Sequence, residues 1–205
     1  MKTRNIVIIS FLIFLAIAAI VLIYKERAVT TLKNKGEPTS TPIIPKEEFA
    51  LPENYREVYV FFQSSGSPLL VPEKRRIFHT SSITDQAKQT IVELIRGPET
   101  PGHLPTIPGG TKIEELYLSP HGTAFIDLSS DFITGQVGGS EEELIAVYSI
   151  VNTLTINFPS IKQVKFLIEG KERDTIKGHI SLKNPFIKNT ELLSERERAS
   201  DGGED

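Results

Sequence analysis

Residues 139–159 read GSEEELIAVYSIVNTLTINFP, and residues 160–171 continue as SIKQVKFLIEGK. In the first stretch Leu144, Val147, Tyr148, Val151, Leu154, Thr155 and Phe158 recur at helical spacing and form one apolar stripe, which Pro159 ends. Ser140 with Glu143 three residues later has the pattern of a capping box. The carboxylates of Glu141, Glu142 and Glu143 suit the positive end of the helix dipole. Beyond Pro159, Val164, Phe166 and Ile168 alternate as a half-buried strand requires, and Glu169-Gly170-Lys171 turns the chain. A long capped helix whose apolar face must be covered, followed directly by a strand, predicts helices packed on a sheet.

On the N-terminal side, Glu57 to Phe62 is rich in β-branched and aromatic residues, and Leu69-Leu70-Val71 past a Ser/Gly/Pro turn supplies its hairpin partner. Ala87, Ile91, Leu94 and Ile95 line one face of a first helix, with Thr84 or Asp85 as its N-cap and Gly97-Pro98 as its stop. The Pro- and Gly-laden stretch 98–110 reads as an irregular loop. Residues Ile113 to Leu118 and Thr123 to Leu128 form a second hairpin around Ser119-Pro120-His121-Gly122. On the C-terminal side, Ile176 to Leu182 supplies a final short strand. The expectation is an α+β domain over 57–187, in the order ββαββαββ, with a mixed sheet of about five to six strands and two packed helices.

The flanks differ in composition. From Asn5 to Tyr24 no residue is charged, a run of about 20 residues that at helical rise matches the hydrocarbon thickness of a bilayer. Lys2 and Arg4 precede it, which favours a transmembrane helix over 5–24 with residues 1–4 in the cytoplasm and the remainder outside. Ala16-Ile17-Ala18 resembles a signal-peptidase site, but Ile20 to Tyr24 prolongs the apolar run past it, so a retained anchor is expected. Residues 25–54, with Pro38, Pro42, Pro45 and Pro52 among polar residues, read as a stalk. Residues 189–205 are charged and poor in large apolar side chains apart from Leu192 and Leu193, and read as a disordered tail.

Composition removes several chemistries. There is no cysteine, hence no disulfide, thiolate metal site or lipid-modified cysteine. A net charge of −3 with interspersed signs provides no basic footprint, and no nucleic-acid partner is expected. His79, His103, His121 and His179 include no i, i+4 pair of the zinc kind, and no G-x-S-x-G elbow occurs. Glu141 and Glu142 point about 100° apart on a helix and serve its first turn rather than acid–base work. Gly138-Gly139-Ser140 lacks the lysine and spacing of a phosphate loop and reads as a loop needing glycine torsions. Asn152, mid-helix, faces solvent or bonds a buried backbone group. No catalytic, cofactor or metal residue is assigned. A cell-wall-acting enzyme would require Asp127, Asp131, Glu142 or His179 to converge in a cleft, which their spacing does not predict.

Several stretches resemble the GerMN domain, a module named after a spore-germination and sporulation protein of endospore formers. Residues 93–98, ELIRGP, resemble the family's helix-ending pattern through Gly97-Pro98. Residues 107–112, IPGGTK, resemble its lead into the central hairpin through Pro108 and Thr111. Ser140 and Glu143, the run Val151-Asn152-Thr153-Leu154, Glu169-Gly170 and Gly178-His179 complete the resemblance over about 57–187. It implies an extracytoplasmic α+β domain similar in layout to ring-building modules of envelope secretion complexes, with no catalytic residues to carry over. Docking on an envelope protein or on itself is the implied role, with the membrane held through the N-terminal helix. The sequence departs from the sporulation prototype in having one copy rather than a tandem pair, and an apolar anchor in place of a lipidated cysteine.

Overall fold

The computed structural model describes residues 54–194. The expected transmembrane helix at 5–24, the stalk up to residue 53 and the tail from residue 195 lie outside those residues. Among the described residues no helix is long and apolar enough to cross a membrane.

The α+β class holds, but the single mixed sheet does not: there are two sheets. Strands β1 (Tyr55–Ser64) and β2 (Leu70–Phe78) form an antiparallel hairpin, and α1 (Ile83–Arg96) follows. The two-residue strand β3 (His103–Leu104) lies on the far side of β1, giving the order β2-β1-β3. Strands β4 (Ile113–Leu118) and β5 (Thr123–Leu128) pair antiparallel. Two helices, the four-residue α2 (Asp131–Thr134) and α3 (Ser140–Asn157), then cross over to β6 (Gln163–Ile168), which runs parallel to β5. Strand β7 (Phe186–Ile187) completes the second sheet, β4-β5-β6-β7.

The sheet divides because β1 never pairs with the second sheet; α3 stands against its free edge instead. In an antiparallel ladder alternate residues turn their N–H and C=O groups outward. On β1 the outward groups of Tyr59 and Phe61 meet α3 side chains. Asn157 Oδ1 accepts from Tyr59 N at 2.8 Å while its Nδ2 donates to Tyr59 O at 2.6 Å, and Thr153 Oγ1 accepts from Phe61 N at 3.2 Å. The carboxamide thus does the work of a neighbouring strand residue, and a buried polar residue on a helix satisfies a sheet edge. Asn152 repeats the device with Asn189, exchanging both bonds at 2.8 and 2.9 Å. The outer edge of β2 is closed in the same manner at Phe78 by Gln89 of α1. Pro72, without an N–H, and exposed Lys74 and Arg76 blunt the rest of that edge.

Helix α3 is therefore buried on nearly every side. It touches β1, α1, β6 and β7. Besides Val147, Val151 and Leu154 of the expected stripe, Ile145, Ala146, Ile150 and the polar Ser149, Asn152, Thr153 and Asn157 are buried. A one-sided stripe is what a helix on one sheet needs; this helix lies between elements of both. The main core joins Val58, Val60 and Phe62 of β1, Ile91 and Leu94 of α1, Ile126, Leu128, Phe132, Phe166 and the α3 aliphatics.

Other expectations change in detail. Ser82, not Thr84 or Asp85, caps α1, its Oγ accepting from Asp85 N at 3.1 Å. Ser140 makes no cap bond. Gly139 precedes α3 at φ +135°, so the predicted capping box does not form and Glu143 is drawn into another role. Gly138 at φ +91° and Gly139 confirm the need for glycine torsions there. Residues 176–182 make no strand, since a single bridge between Thr175 and Ser181 is all that forms, and the final strand comes later as β7. The loop 98–110 contains β3. The start of the supposed tail is folded: Thr190–Leu192 makes a 3₁₀ turn, and Leu193, 1% exposed, packs with Phe61, Leu70 and Ile145 in a second small core.

Candidate functional site

An apolar groove opens between the N-terminal half of α3, the β1–β2 turn, the segment after Gly178 and the 3₁₀ turn. Pro68, Leu69, Ser140, Glu141, Leu144, Ile145, Ile180 and Leu192 line it, around a volume of about 420 Å³. Leu69, Leu144, Ile180 and Leu192 are each half-buried; Ile180 and Leu192 pack partly against the two cores, and all four leave some apolar surface to the opening.

Its walls come from four stretches separated in sequence, and one carboxylate fixes the least regular of them. Glu143, fully buried, accepts from the backbone N–H of His179 at 3.2 Å and of Ile180 at 2.9 Å, and meets His179 Nδ1 at 2.8 Å. Burial opposes its charge. The bonds from His179, Ile180 and the Lys177 backbone outweigh that and hold the carboxyl below its ordinary value. Gly178, at φ +111°, lets the chain present two successive N–H groups to one carboxylate. Lys177 Nζ donates to the carbonyl of Gln136, tying the same segment to the α2–α3 connection.

The same arrangement occurs a second time among the described residues. Glu73 of β2, 5% exposed, accepts from Glu99 N and Thr100 N, both at 3.0 Å, and meets His103 Nδ1 at 2.6 Å. Burial raises its pKa, but these bonds, with Arg75 Nη2 at 2.7 Å, bring it down to about 2. Arg75 is buried over Phe62, its Nε 3.8 Å from Glu93. Each glutamate pins an irregular loop, 99–103 or 177–180, to a regular element.

The motif positions separate into groups. Ser140, Glu143, Gly178 and His179 come together at the groove. Val151 and Leu154 are core, while Asn152 and Thr153 satisfy backbone groups as described above. Gly97 ends α1 at φ +95°, its carbonyl accepting from Arg75 Nη2, and Pro98 follows. Pro108 accepts from Thr111 N, and Thr111 is buried. Glu169 and Gly170 form a turn at φ +51° and +74°. Gly170 N donates to Asp127 Oδ1 at 2.9 Å, and bonds from the Ser130 side chain and backbone lower the Glu169 carboxyl.

The four side chains an enzyme would need do not share a cleft, and three of them have separate partners. Asp127 holds Gly170, Asp131 accepts from Ser129 Oγ at 3.1 Å, His179 is held by Glu143, and Glu142 is exposed in the first turn of α3. No group of three or more His, Asp or Glu residues suited to a metal occurs among the described residues. Sequence reasoning placed Leu69 in a hairpin strand, Ile180 in a strand over 176–182 and Leu192 in the tail, and assigned none of them to a docking surface; the Leu192-Leu193 pair inside a charged segment was the one available signal.

The protein-family model Germane, described as sporulation and spore germination, matches residues 57–174. The chain belongs to this family. No curated protein sequence matches the chain. Among solved structures, the tandem GerMN domains of the sporulation protein GerM from Bacillus subtilis are similar at 22% identity and a TM-score of 0.55, covering 69% of this chain and 48% of that one. The first GerMN domain of the same protein is similar at 22% identity and a TM-score of 0.49, covering 69% of this chain and 98% of that one. The chain thus spans about half the length of the tandem protein. It carries the GerMN fold, and the Germane match covers all of the motif positions up to Gly170.

Proposed function

We propose that this chain is a non-enzymatic docking module of the cell envelope, with a sporulation- or germination-related role, tethered by a membrane helix at 5–24 and displaying the GerMN domain outside the cytoplasm. One observation carries the docking reading. Asp127 and the Glu143–His179 pair are spent on holding backbone, whereas the groove leaves four aliphatic side chains half-exposed at a common opening. Pairing through β2 is a poor route to association because Gln89, Pro72 and the β2 charges blunt that edge. The family description supports the sporulation link, and the uncharged run from Asn5 to Tyr24 supports the tether.

Chemical crosslinking of the full-length protein in its native membrane, followed by mass spectrometry, tests this reading. Adducts to an envelope protein or to a second copy are expected, from protein that resists alkaline extraction of the membrane. Cell-wall glycan fragments as the sole captured species would overturn it in favour of a wall-acting enzyme or glycan binder.

A further inference from the structure

The groove's charge identifies the chemistry of what it takes. Pro68, Leu69, Leu144, Ile145, Ile180 and Leu192 are apolar, and the one charged lining residue is Glu141. Glu142 follows Glu141 and Glu191 precedes Leu192, both exposed, so two further carboxylates belong to immediate neighbours of lining residues, and no lysine or arginine lines the groove. The positive end of α3 carries about half a unit charge and does not cancel three carboxylates. Residues 195–205, which follow the 3₁₀ turn, contain no large aliphatic or aromatic side chain with which to fill the groove. We propose that the groove receives a segment of a partner protein that offers one or two large aliphatic side chains flanked by lysine or arginine. This rests on the docking reading above and specifies its partner. The aliphatic groups supply burial, and the flanking cations supply encounter rate and discrimination against acidic segments.

The test uses the full chain in nanodiscs and three fluorescein-labelled dodecapeptides: two leucines flanked by lysines, the same leucines flanked by glutamates, and serines in place of leucines between lysines. Fluorescence anisotropy is expected to show the lysine-flanked leucine peptide binding about tenfold or more tightly than either of the others, and weakening as salt rises. Glu141→Lys combined with Glu191→Lys, both at exposed positions, removes or inverts the preference. Leu144→Glu and, separately, Ile180→Ser abolish binding, with circular dichroism reporting that each variant folds. Equal binding of the two leucine peptides, lost in both groove variants, would overturn the basic-partner proposal while leaving docking intact. Binding that survives both groove variants would place the peptide elsewhere and overturn it. Self-association relieved by Leu144→Glu would assign the groove to a second copy, and displacement of the peptide by phosphatidylglycerol vesicles would assign it to lipid; either overturns the proposal. Absence of all peptide binding overturns it too, and the membrane crosslinking then decides separately whether docking stands.

Discussion

Glu73→Ala is expected to cost about 3–5 kcal/mol of folding stability, the scale of removing one partner from a buried ion pair. The change leaves the Arg75 guanidinium, 6% exposed, without its 2.7 Å partner, and leaves the N–H groups of Glu99 and Thr100 without an acceptor. Glu93 and Glu99 lie 3.8 and 3.7 Å from the guanidinium and recover only part of the loss. Urea denaturation followed by circular dichroism measures it, and a loss under about 1 kcal/mol would mean that the network is not formed. The same carboxylate predicts an acid response. Its folded pKa, about 2, lies below its ordinary 4.5, so the wild-type chain has this contribution in full above about pH 4.5 and loses it as pH falls towards 2. In Glu73→Gln that part of the slope is absent.

Glu143→Ala acts on the groove itself. It removes the acceptor of the His179 and Ile180 N–H groups and frees the His179 ring, at a cost of about 1–3 kcal/mol for part-buried donors left unpaired. Because Ile180 is a groove wall, amide exchange should quicken over 177–182 well before it does in β5 and β6. Glu143→Gln keeps an acceptor but loses the charge, and should fall between the two. Since the carboxyl is held below its ordinary value, its contribution is present above the normal carboxylate range and is lost as pH falls through the depressed value. Unchanged exchange over 177–182 in Glu143→Ala would show that the segment is held by packing alone.

What the sequence discloses follows from how local each signal is. Alternation in Val164, Phe166 and Ile168, and the stop at Pro159, are local, and strand β6 and the end of α3 lie where they indicate. The split into two sheets is not local: it depends on Asn157 and Thr153 meeting Tyr59 and Phe61, about a hundred positions away, and an asparagine near a helix end looks ordinary by itself. Ser140-Glu141-Glu142-Glu143 shows the opposite failure. The capping pattern is present, but Glu143 gains more from three donors in the 177–180 segment than from the helix start, and tertiary bonding overrides the local motif. The groove was the least legible feature, since its walls come from residues 68–69, 140–145, 180 and 192. Asn152 was readable as either facing solvent or bonding a buried backbone group; the second holds, and its partner, Asn189, lies in what composition alone marks as tail.

The central claim is that the groove beside α3 is where this protein meets its partner, and site-resolved photocrosslinking tests it most directly. Benzoylphenylalanine is introduced at Leu69, at Leu144 and, as a control on another face, at Tyr117, and the full-length chain is irradiated in its native membrane. One discrete protein adduct is expected from the two groove positions and none from Tyr117. Adducts from Tyr117 with none from Leu69 or Leu144 would contradict it.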